Sequence, residues 1–361
     1  MRLLETMVRR QWVRGWGRAT GGSLRRLTLL LTAAVLVLVA ADPVAATDGD
    51  RIIGNPRSDT PAFELERGRF SAFDLPESGP GEFVRTNDRG DIVGSFADDD
   101  GTLTGFLRDR RGRVREFDGP DGTHTTPLDI DNRGWIVGNI CDTPATCPIE
   151  IRGFVRDPKG RFRTIKVPGS VRTQVFGINK RGQLVGDYTL PDGSIHGYLW
   201  GHGRFATIDG PDGTGATLTA INDRGDIVGA YAAVPANPSA GLAGFLLRKG
   251  RYQTITVPGR PITLPLGVNN RGQVAGYSTT GPDLEAGAQG FVLARGVDGP
   301  FTRIDVPGAA ATGVTDIDAR GRMVGLYDNR GDAASEPSST AATDALDAMA
   351  DLADQAHGGG R

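Results

Sequence analysis

The feature that most constrains the fold is a short motif that occurs six times: an Asn or Asp, any residue, Arg, Gly, any residue, an apolar pair and a further Gly. The stretch 222–229 shows it as NDRGDIVG. The first residues of the six copies are Asn87, Asp131, Asn179, Asn222, Asn269 and Asp318. Their spacing of roughly 43 to 49 residues is typical of propeller blades.

Each repeat reads as four short strands. The repeats begin at Ala62, Gly105, Gly153, Gly197, Gly244 and Gly290. A Gly-aromatic stretch comes first, a proline closes the second strand, and the motif joins the third strand to the fourth. Tight connections favour antiparallel pairing, and near-continuous apolar runs indicate strands that are buried on both faces. We therefore predict an all-β fold over residues 47–329, a six-bladed β-propeller of four-stranded antiparallel blades.

The relation between repeat and blade is open at this point. The stretch DRIIGN (50–55) resembles a fourth strand, so the ring could close by pairing N-terminal and C-terminal strands within one blade. Closure by any route would remove the exposed edges that an open stack of repeats has to protect.

The motif contains Arg-Gly-Asp in two copies, at 89–91 and 224–226. An Asx side chain can accept a hydrogen bond from the backbone two residues on, and the glycine supplies a positive φ. The residue after the glycine is Asp in only two of the six copies. We therefore interpret Arg-Gly-Asp as hairpin chemistry and not as a cell-adhesion signal.

The arginine of the motif has no evident backbone role. It is Arg89, Arg133, Arg181, Arg224, Arg271 and Arg320. In a closed ring these six side chains would decorate one rim of the disc, where they could bind anions or carboxylates. The alternative, which we favour, is that each packs on a neighbouring aromatic residue or pairs with a nearby acid.

The combination of G-[FY]-[LV], F-x-x-I-D-x-P-G and [GA]-[IV]-N-x-R-G-x-[IV]-V-G-x-Y resembles the HAF family, a probable extracellular repeat. The resemblance covers about residues 50–329 and is best in the third and fourth copies. It implies export and a propeller-like fold. It implies no established activity, so it transfers no catalytic residue to this chain.

The N-terminus predicts export. Residues 1–46 hold an arginine-rich stretch, an apolar run from Leu27 to Ala41, and Val44 and Ala46 before a cleavage site at Thr47. This order is typical of a secretory signal. An uncleaved anchor and twin-arginine export are the alternatives. The segment 330–361 is rich in Ala, Asp and Ser and is predicted to be a disordered or short-helical tail.

The only two cysteines, Cys141 and Cys147, are predicted to form a local disulfide in an oxidising compartment. Beyond residue 46 there are 34 basic and 41 acidic residues, a net charge of −7. That balance argues against nucleic acid as a partner. We expect a monomer, not inserted in the membrane after signal cleavage, whose partner is an extracellular protein or glycan.

No motif for catalysis, phosphate binding or a metal is visible, and we predict no cofactor, no metal ligands and no catalytic residues. His196 and His202 are expected at the surface, and acidic turns such as 97–105, 118–123 and 209–214 are expected to be solvated. The preferred function is a binding module at the cell envelope or outside the cell. The alternative is a propeller hydrolase or lyase that acts on carbohydrate through acidic residues from different blades.

Overall fold

The computed structural model describes residues 62–73, 81–97, 102–120, 123–142, 150–233, 241–280, 287–294, 299 and 301–328. The predicted signal segment 1–46 and the tail 330–361 lie outside this range. Within the described residues, no helix is long and apolar enough to cross a membrane.

The described residues form strands almost throughout, with one short 3₁₀ turn at Pro211–Gly213. In chain order the strands are β1 (Ala62–Glu66), β2 (Arg69–Phe73), β3 (Gly81–Thr86), β4 (Ile92–Ala97), β5 (Leu103–Arg108), β6 (Val114–Phe117), β7 (His124–Ile130), β8 (Ile136–Cys141), β9 (Arg152–Arg156), β10 (Phe162–Ile165), β11 (Arg172–Ile178), β12 (Leu184–Thr189), β13 (Ile195–Gly201), β14 (Arg204–Thr207), β15 (Ala216–Ile221), β16 (Ile227–Ala232), β17 (Leu242–Arg248), β18 (Arg251–Ile255), β19 (Ile262–Val268), β20 (Val274–Thr279), β21 (Gln289–Leu293), β22 (Phe301–Ile304), β23 (Ala311–Ile317) and β24 (Met323–Asp328).

These strands pair antiparallel in sets of four. The sets are β3–β6, β7–β10, β11–β14, β15–β18, β19–β22 and the combination β23-β24-β1-β2. A single parallel bridge between Leu242 and Ile262 joins the fourth and fifth of these sets. The prediction of four-stranded antiparallel sheets is confirmed.

The last set joins the two ends of the described chain. Strand β1 pairs with β24 through Ala62 opposite Leu326 and Leu65 opposite Met323. Every set thus takes two strands from one sequence repeat and two from the next, an offset that the sequence left open. The first strand of each set, which we call the inner strand, contacts the inner strands on both sides, so that β3, β7, β11, β15, β19 and β23 form a closed ring.

The core lies between adjacent sheets. One cluster brings together Val137 of β8, Val155 of β9, Val175 of β11 and Tyr198 of β13. All seven residues of β11 are buried, whereas the outermost strand of the same set, β14, is exposed along most of its length. This gradient explains why strands near the ring read as continuous apolar runs and the outer ones do not.

Each inner strand contains a β-bulge, such as the register shift between Val175 and Gly177. The glycine of the Ile-Val-Gly stretch lies opposite the bulge. A Cβ added to Gly186 would lie 2.0 Å from the carbonyl oxygen of Gln174. The recurring glycine is therefore required because the inner strand approaches the second strand too closely for any side chain there.

Candidate functional site

The six Asx turns lie together at one end of the ring of inner strands. In each turn the Asx Oδ1 accepts hydrogen bonds from the N–H groups two and four residues on. In the fourth copy, Asn222 Oδ1 lies 2.9 Å from the nitrogens of both Arg224 and Asp226. The turn glycines have positive φ, for example +87° at Gly225. The motif thus forms the hairpin turn that the sequence predicts.

The asparagines also tie neighbouring sheets together. Asn222 Nδ2 donates to the carbonyl oxygen of Asn269 at 2.9 Å, and Asn269 Nδ2 donates to the carbonyl oxygen of Asp318 at 2.8 Å. Asn87 and Asn179 make the same bond to the next turn along the ring. We call the set of six turns the turn ring. The sequence placed the Asx residues in the hairpin but did not reveal this contact between sheets.

Two copies carry Asp in place of Asn, and an ionised Asp cannot donate such a bond. In the sixth copy, Arg322 makes the contact to the next turn instead. Its Nη2 donates to the carbonyl oxygen of Asn87 at 3.1 Å, and its Nε donates to Asp318 Oδ2 at 3.2 Å. In the second copy, Arg133 pairs with Asp131 Oδ2 at 2.7 Å. An arginine therefore neutralises each buried carboxylate of the turn ring.

The aspartates of the Arg-Gly-Asp stretches are engaged within the fold. Asp226 is buried, accepts a hydrogen bond from Asn222 Nδ2 and pairs with Arg248 at 3.2 Å. Asp91 Oδ2 accepts a hydrogen bond from Asn87 Nδ2. These contacts leave little of either carboxylate for an adhesion receptor, in agreement with the interpretation as turn chemistry.

The six arginines of the predicted crown are exposed, and none of them lines the depression at the centre of the ring. Arg133 pairs with Asp131 and lies over Trp135. Arg181 Nη2 donates to the carbonyl oxygen of Asp223. The crown arginines thus lie at the rim and do not share a centre, and their predicted role in binding anions stays a prediction.

The turn ring surrounds a polar depression of about 80 Å³. We call this depression the mouth. Hydrogen-bonded pairs from adjacent turns form its edge: Asp88 accepts from Asn132 Nδ2 at 2.6 Å and from the N–H of Ala319 at 2.7 Å. On the opposite side, Asp223 accepts from Asn270 Nδ2 and from the N–H of Lys180, both at 2.9 Å.

The inner face of the mouth, which we call the floor, departs from the repeat. The residues two positions before each Asx are Arg85, Asp129, Gly177, Ala220, Gly267 and Asp316. The three charged ones belong to β23, β3 and β7, which are adjacent in the ring, and the three small ones belong to the other half. One side of the channel is therefore charged, and the other side has almost no side chains at this level.

The two carboxylates of the floor bridge adjacent inner strands. Asp129 accepts from the N–H of Ile130 and, across to the next sheet, from the N–H of Ile178, both at 2.7 Å. Asp316 likewise accepts from the N–H of Ile317 at 2.8 Å and from that of Thr86 at 3.0 Å. Both oxygens of each carboxylate are thus held in fixed directions by backbone donors.

Arg85 crosses the channel. The residue is 3% exposed, and its Nη1 donates at 2.5 Å to the carbonyl oxygen of Leu266 on β19, past the intervening strand β23. Its Nε is buried and has no hydrogen-bond partner in the part of the chain that the structure describes. A buried donor without a partner is costly, so it marks a place where a ligand or ordered water completes the structure.

The three charges influence one another. Burial, together with the neighbouring charge of Asp316, raises the pKa of Asp129 to about 7, although Arg85 and the two N–H donors oppose the shift. Burial also raises the pKa of Asp316, against the opposing effect of Arg85. Perturbed carboxyl groups of this kind in a depression are typical of functional sites.

A second polar cluster, which sequence reasoning missed, lies away from the mouth. His196 Nδ1 lies 3.0 Å from Asp209 Oδ1, and His196 Nε2 lies 3.2 Å from Ser194 Oγ. Ser194 Oγ also donates to Asp192 Oδ1 at 2.7 Å, and the imidazole stacks on Tyr188. Because the serine proton is committed to Asp192, the cluster is better described as a hydrogen-bonded hairpin than as a catalytic triad.

The remaining predicted features fall as follows. His202 is exposed, as expected, whereas His196 is partly buried. Cys141 is buried at the end of β8, and Cys147 lies outside the described residues, so the disulfide stays a prediction. Among the described residues, no group of His, Cys, Asp and Glu is arranged to hold a metal ion. The acidic turns at 97–105 and 118–123 are described only in part.

No family model matches this chain, and no curated protein matches it. Solved structures do. A TolB candidate from Agrobacterium tumefaciens superposes with a TM-score of 0.56 at 11% identity, over 74% of this chain and 98% of that one. The β-propeller domain of the Trilobed protease from Pyrococcus furiosus, described as having an open velcro topology, gives a TM-score of 0.44 at 13% identity over 65% and 72%.

At these identities the likeness concerns the fold alone. This chain has a propeller-like all-β fold of four-stranded antiparallel sheets, as the repeat predicts. Nothing about ligand or activity follows from the likeness.

Proposed function

We propose that this chain is an exported six-bladed β-propeller that binds a small polar ligand in the mouth. The observation that carries the proposal is the floor: three charged residues, Arg85, Asp129 and Asp316, occupy positions where the other three repeats have Gly or Ala. A ring of equivalent sheets needs no such charges, and burying them costs free energy. Their convergence on one depression is what a binding site requires.

The blade number rests on the sequence and on strand pairing together. The described strands fall into six sets of four, and the inner strands contact one another in a closed circle. The pairing of β1 with β24 supports closure by terminal strands within one blade.

The location rests on the sequence. Residues 1–46 have the order of an export signal, Cys141 and Cys147 suit an oxidising compartment, and the repeats resemble the HAF family. We propose that the protein acts at the cell envelope or outside the cell as a monomer, and that the exposed crown arginines form a secondary contact surface for an acidic protein or glycan.

The test is a binding screen of small metabolites and glycans on the purified protein by thermal shift. The matched variants are Asp129→Asn in the floor and Arg224→Ala on the rim. We expect at least one hit whose binding is lost in Asp129→Asn and kept in Arg224→Ala. Ligands that bind Asp129→Asn as well as wild type, or whose binding is lost only in Arg224→Ala, would contradict a site in the mouth.

One observation favours a second candidate function, a hydrolase or lyase that acts on extracellular carbohydrate. Asp129 has a pKa of about 7 and lies near a second buried carboxyl, Asp316. Pairs of carboxyl groups with displaced pKa values serve as acid and base in such enzymes. Incubation with polysaccharides, followed by assays of reducing ends and unsaturated products, distinguishes the two functions. Turnover that disappears in Asp129→Asn and Asp316→Asn would favour the enzyme.

A further inference from the structure

The floor holds charges of both signs that do not neutralise each other directly. Among the described residues, the guanidinium of Arg85 donates a hydrogen bond to the carbonyl oxygen of Leu266 and forms no ion pair with Asp129 or Asp316. Arg85 and Asp316 act on Asp129 through space. Arg85, whose buried Nε has no partner among the described residues, thus lines the same depression as the two carboxyl groups of Asp129 and Asp316.

The opposite half of the ring has small residues at the level of the floor, where the inner strands approach closely: a Cβ added to Gly177 would lie 3.1 Å from Ala220 Cα, and one added to Gly267 would lie 2.8 Å from Asp316 Oδ1. Gly177, Ala220 and Gly267 carry at most a methyl group at the level of the floor. Above them, the aliphatic residues Ile178, Ile221 and Val268 belong to the lining of the mouth. The depression thus combines charged groups on one side with a small, partly apolar wall on the other, as in sites that orient a small ligand by a few polar groups.

We propose that the mouth binds a small zwitterion that carries an ammonium group and a carboxylate, as a free α-amino acid does; this rests on the proposed function. The ligand carboxylate accepts hydrogen bonds from Arg85, whose planar fork suits that group. The ligand ammonium, with three donors and no acceptor, lies against Asp129 and Asp316.

A ligand with a single charge satisfies only part of the floor. A simple cation would relieve the repulsion between Asp129 and Asp316 but leave the Nε of Arg85 unpaired. A simple anion would pair with Arg85 but increase the repulsion from both carboxylates. Since an unpaired buried partner costs binding free energy, a ligand with both groups is favoured over either half.

The test is isothermal titration of the purified protein with four probes: glycine, alanine, glycinamide, which lacks the carboxylate, and N-acetylglycine, which lacks the ammonium. Each charge-assisted hydrogen bond contributes to the binding free energy. Glycinamide and N-acetylglycine, which each lack one charged group, should therefore bind about tenfold more weakly than glycine, or weaker still. Asp129→Asn should weaken alanine binding to a similar extent, and Arg204→Ala, at an exposed position on the outer strand β14, should leave it unchanged.

A second readout follows from proton release. Because an ammonium group favours the charged carboxylates, binding near pH 7 should release a proton, and the measured heat should depend on the ionisation enthalpy of the buffer. In Asp129→Asn the dependence of the heat on the buffer should disappear, because the titrating carboxyl group is gone. Circular dichroism checks that the fold of the variant is intact, so that this loss is not a consequence of unfolding. If Asp129→Asn fails to fold, the comparison of the four probes on the unaltered protein still decides.

The outcomes separate this inference from the proposed function. Glycinamide that binds as well as glycine would overturn the zwitterion in favour of a cation site, and equal binding of N-acetylglycine would overturn it in favour of an anion site. If none of the four probes binds, but other small polar ligands from the screen bind in a way that depends on Asp129, the proposal of a zwitterion is wrong. The proposed function, a binding module with its site in the mouth, is then retained. If no ligand depends on the floor at all, both are wrong.

Discussion

The turn ring and the floor lie two residues apart in every repeat, yet they are built on different principles. In the turn ring, all six Asx residues accept the same two backbone hydrogen bonds, the four asparagines also donate to the next turn, and each of the two aspartates pairs with an arginine. In the floor, the six equivalent positions hold Arg, Asp, Gly, Ala, Gly and Asp, and their contacts differ. The turn ring thus repeats one set of contacts, whereas the floor bridges the inner strands with charged residues in one half of the ring only.

The strongest effect is expected in the floor, as a dependence of stability on pH. The pKa of Asp129 is raised from 3.8 to about 7 in the folded protein, next to Asp316 and Arg85. The folded state therefore binds the proton more tightly than the unfolded state, so this group stabilises the fold at low pH and loses that contribution as pH rises through about 4 to 7. About three pH units correspond to a swing approaching ~4 kcal/mol.

The swing is measured as the difference between wild type and Asp129→Asn in urea denaturation at pH 4.5 and pH 8, because groups that do not interact with Asp129 cancel in the difference. We expect the variant to gain stability relative to wild type as pH rises. Parallel profiles for the two proteins would mean that Asp129 titrates normally and that the floor is not the charged unit described above.

The next effect in size concerns the glycine that every repeat shares. In Gly186→Ala the new Cβ would lie 2.0 Å from the carbonyl oxygen of Gln174, and the sheet would have to shift. We expect a loss of about 3 kcal/mol in the free energy of unfolding. The matched control is Gly225→Ala in a turn, which has φ +87° and no atom within 4 Å of an added Cβ. It should cost about 1 kcal/mol from backbone strain alone. Equal losses would remove the argument from close approach.

A smaller effect tests the hydrogen bonds between sheets. Asn179 Nδ2 donates to the carbonyl oxygen of Asn222 at 3.1 Å and to Gln183 Oε1 at 2.9 Å. In Asn179→Asp both bonds are lost and a charge is buried, so we expect a loss of about 2 kcal/mol. Adding Gln183→Arg reproduces the arrangement of Asp318 and Arg322 and should restore at least part of the stability. A double variant no better than the single one would show that compensation by arginine is not general.

The weakest effect is expected at the rim. Arg224 is exposed, and Arg224→Ala should change the free energy of unfolding by under about 0.5 kcal/mol. Binding of a screened anionic glycan to wild type, Arg181→Ala and Arg224→Ala measures the predicted contact surface. Unchanged binding in both variants would remove the arginine crown as a site.

The sequence predicted the fold because the information is local and repeated. Residues close together in the sequence are enough to recognise the Asx and Gly of each turn, the Ile-Val-Gly strands and the repeated order of four strands. Each sheet takes two strands from one repeat and two from the next. This arrangement could not be obtained from local sequence, because it depends on the pairing of β1 with β24 at the other end of the described chain.

The convergence of the floor residues was not predicted, since Arg85 and Asp316 are brought together only by closure of the ring. A comparison of equivalent positions in the six copies would have singled them out as charged residues among Gly and Ala. The contact of His196 with Asp209 was missed for a different reason, because it depends on how the chain turns after β14.

A carboxyl ¹³C NMR titration of Asp129, in wild type and in Arg85→Met, tests directly whether the floor is one electrostatic unit. If it is, the pKa of Asp129 in wild type lies near 7 and rises further in the variant, because Arg85 opposes the shift. A pKa near 3.8 in both proteins would contradict this, since it would place Asp129 in open solvent, independent of the charges across the mouth.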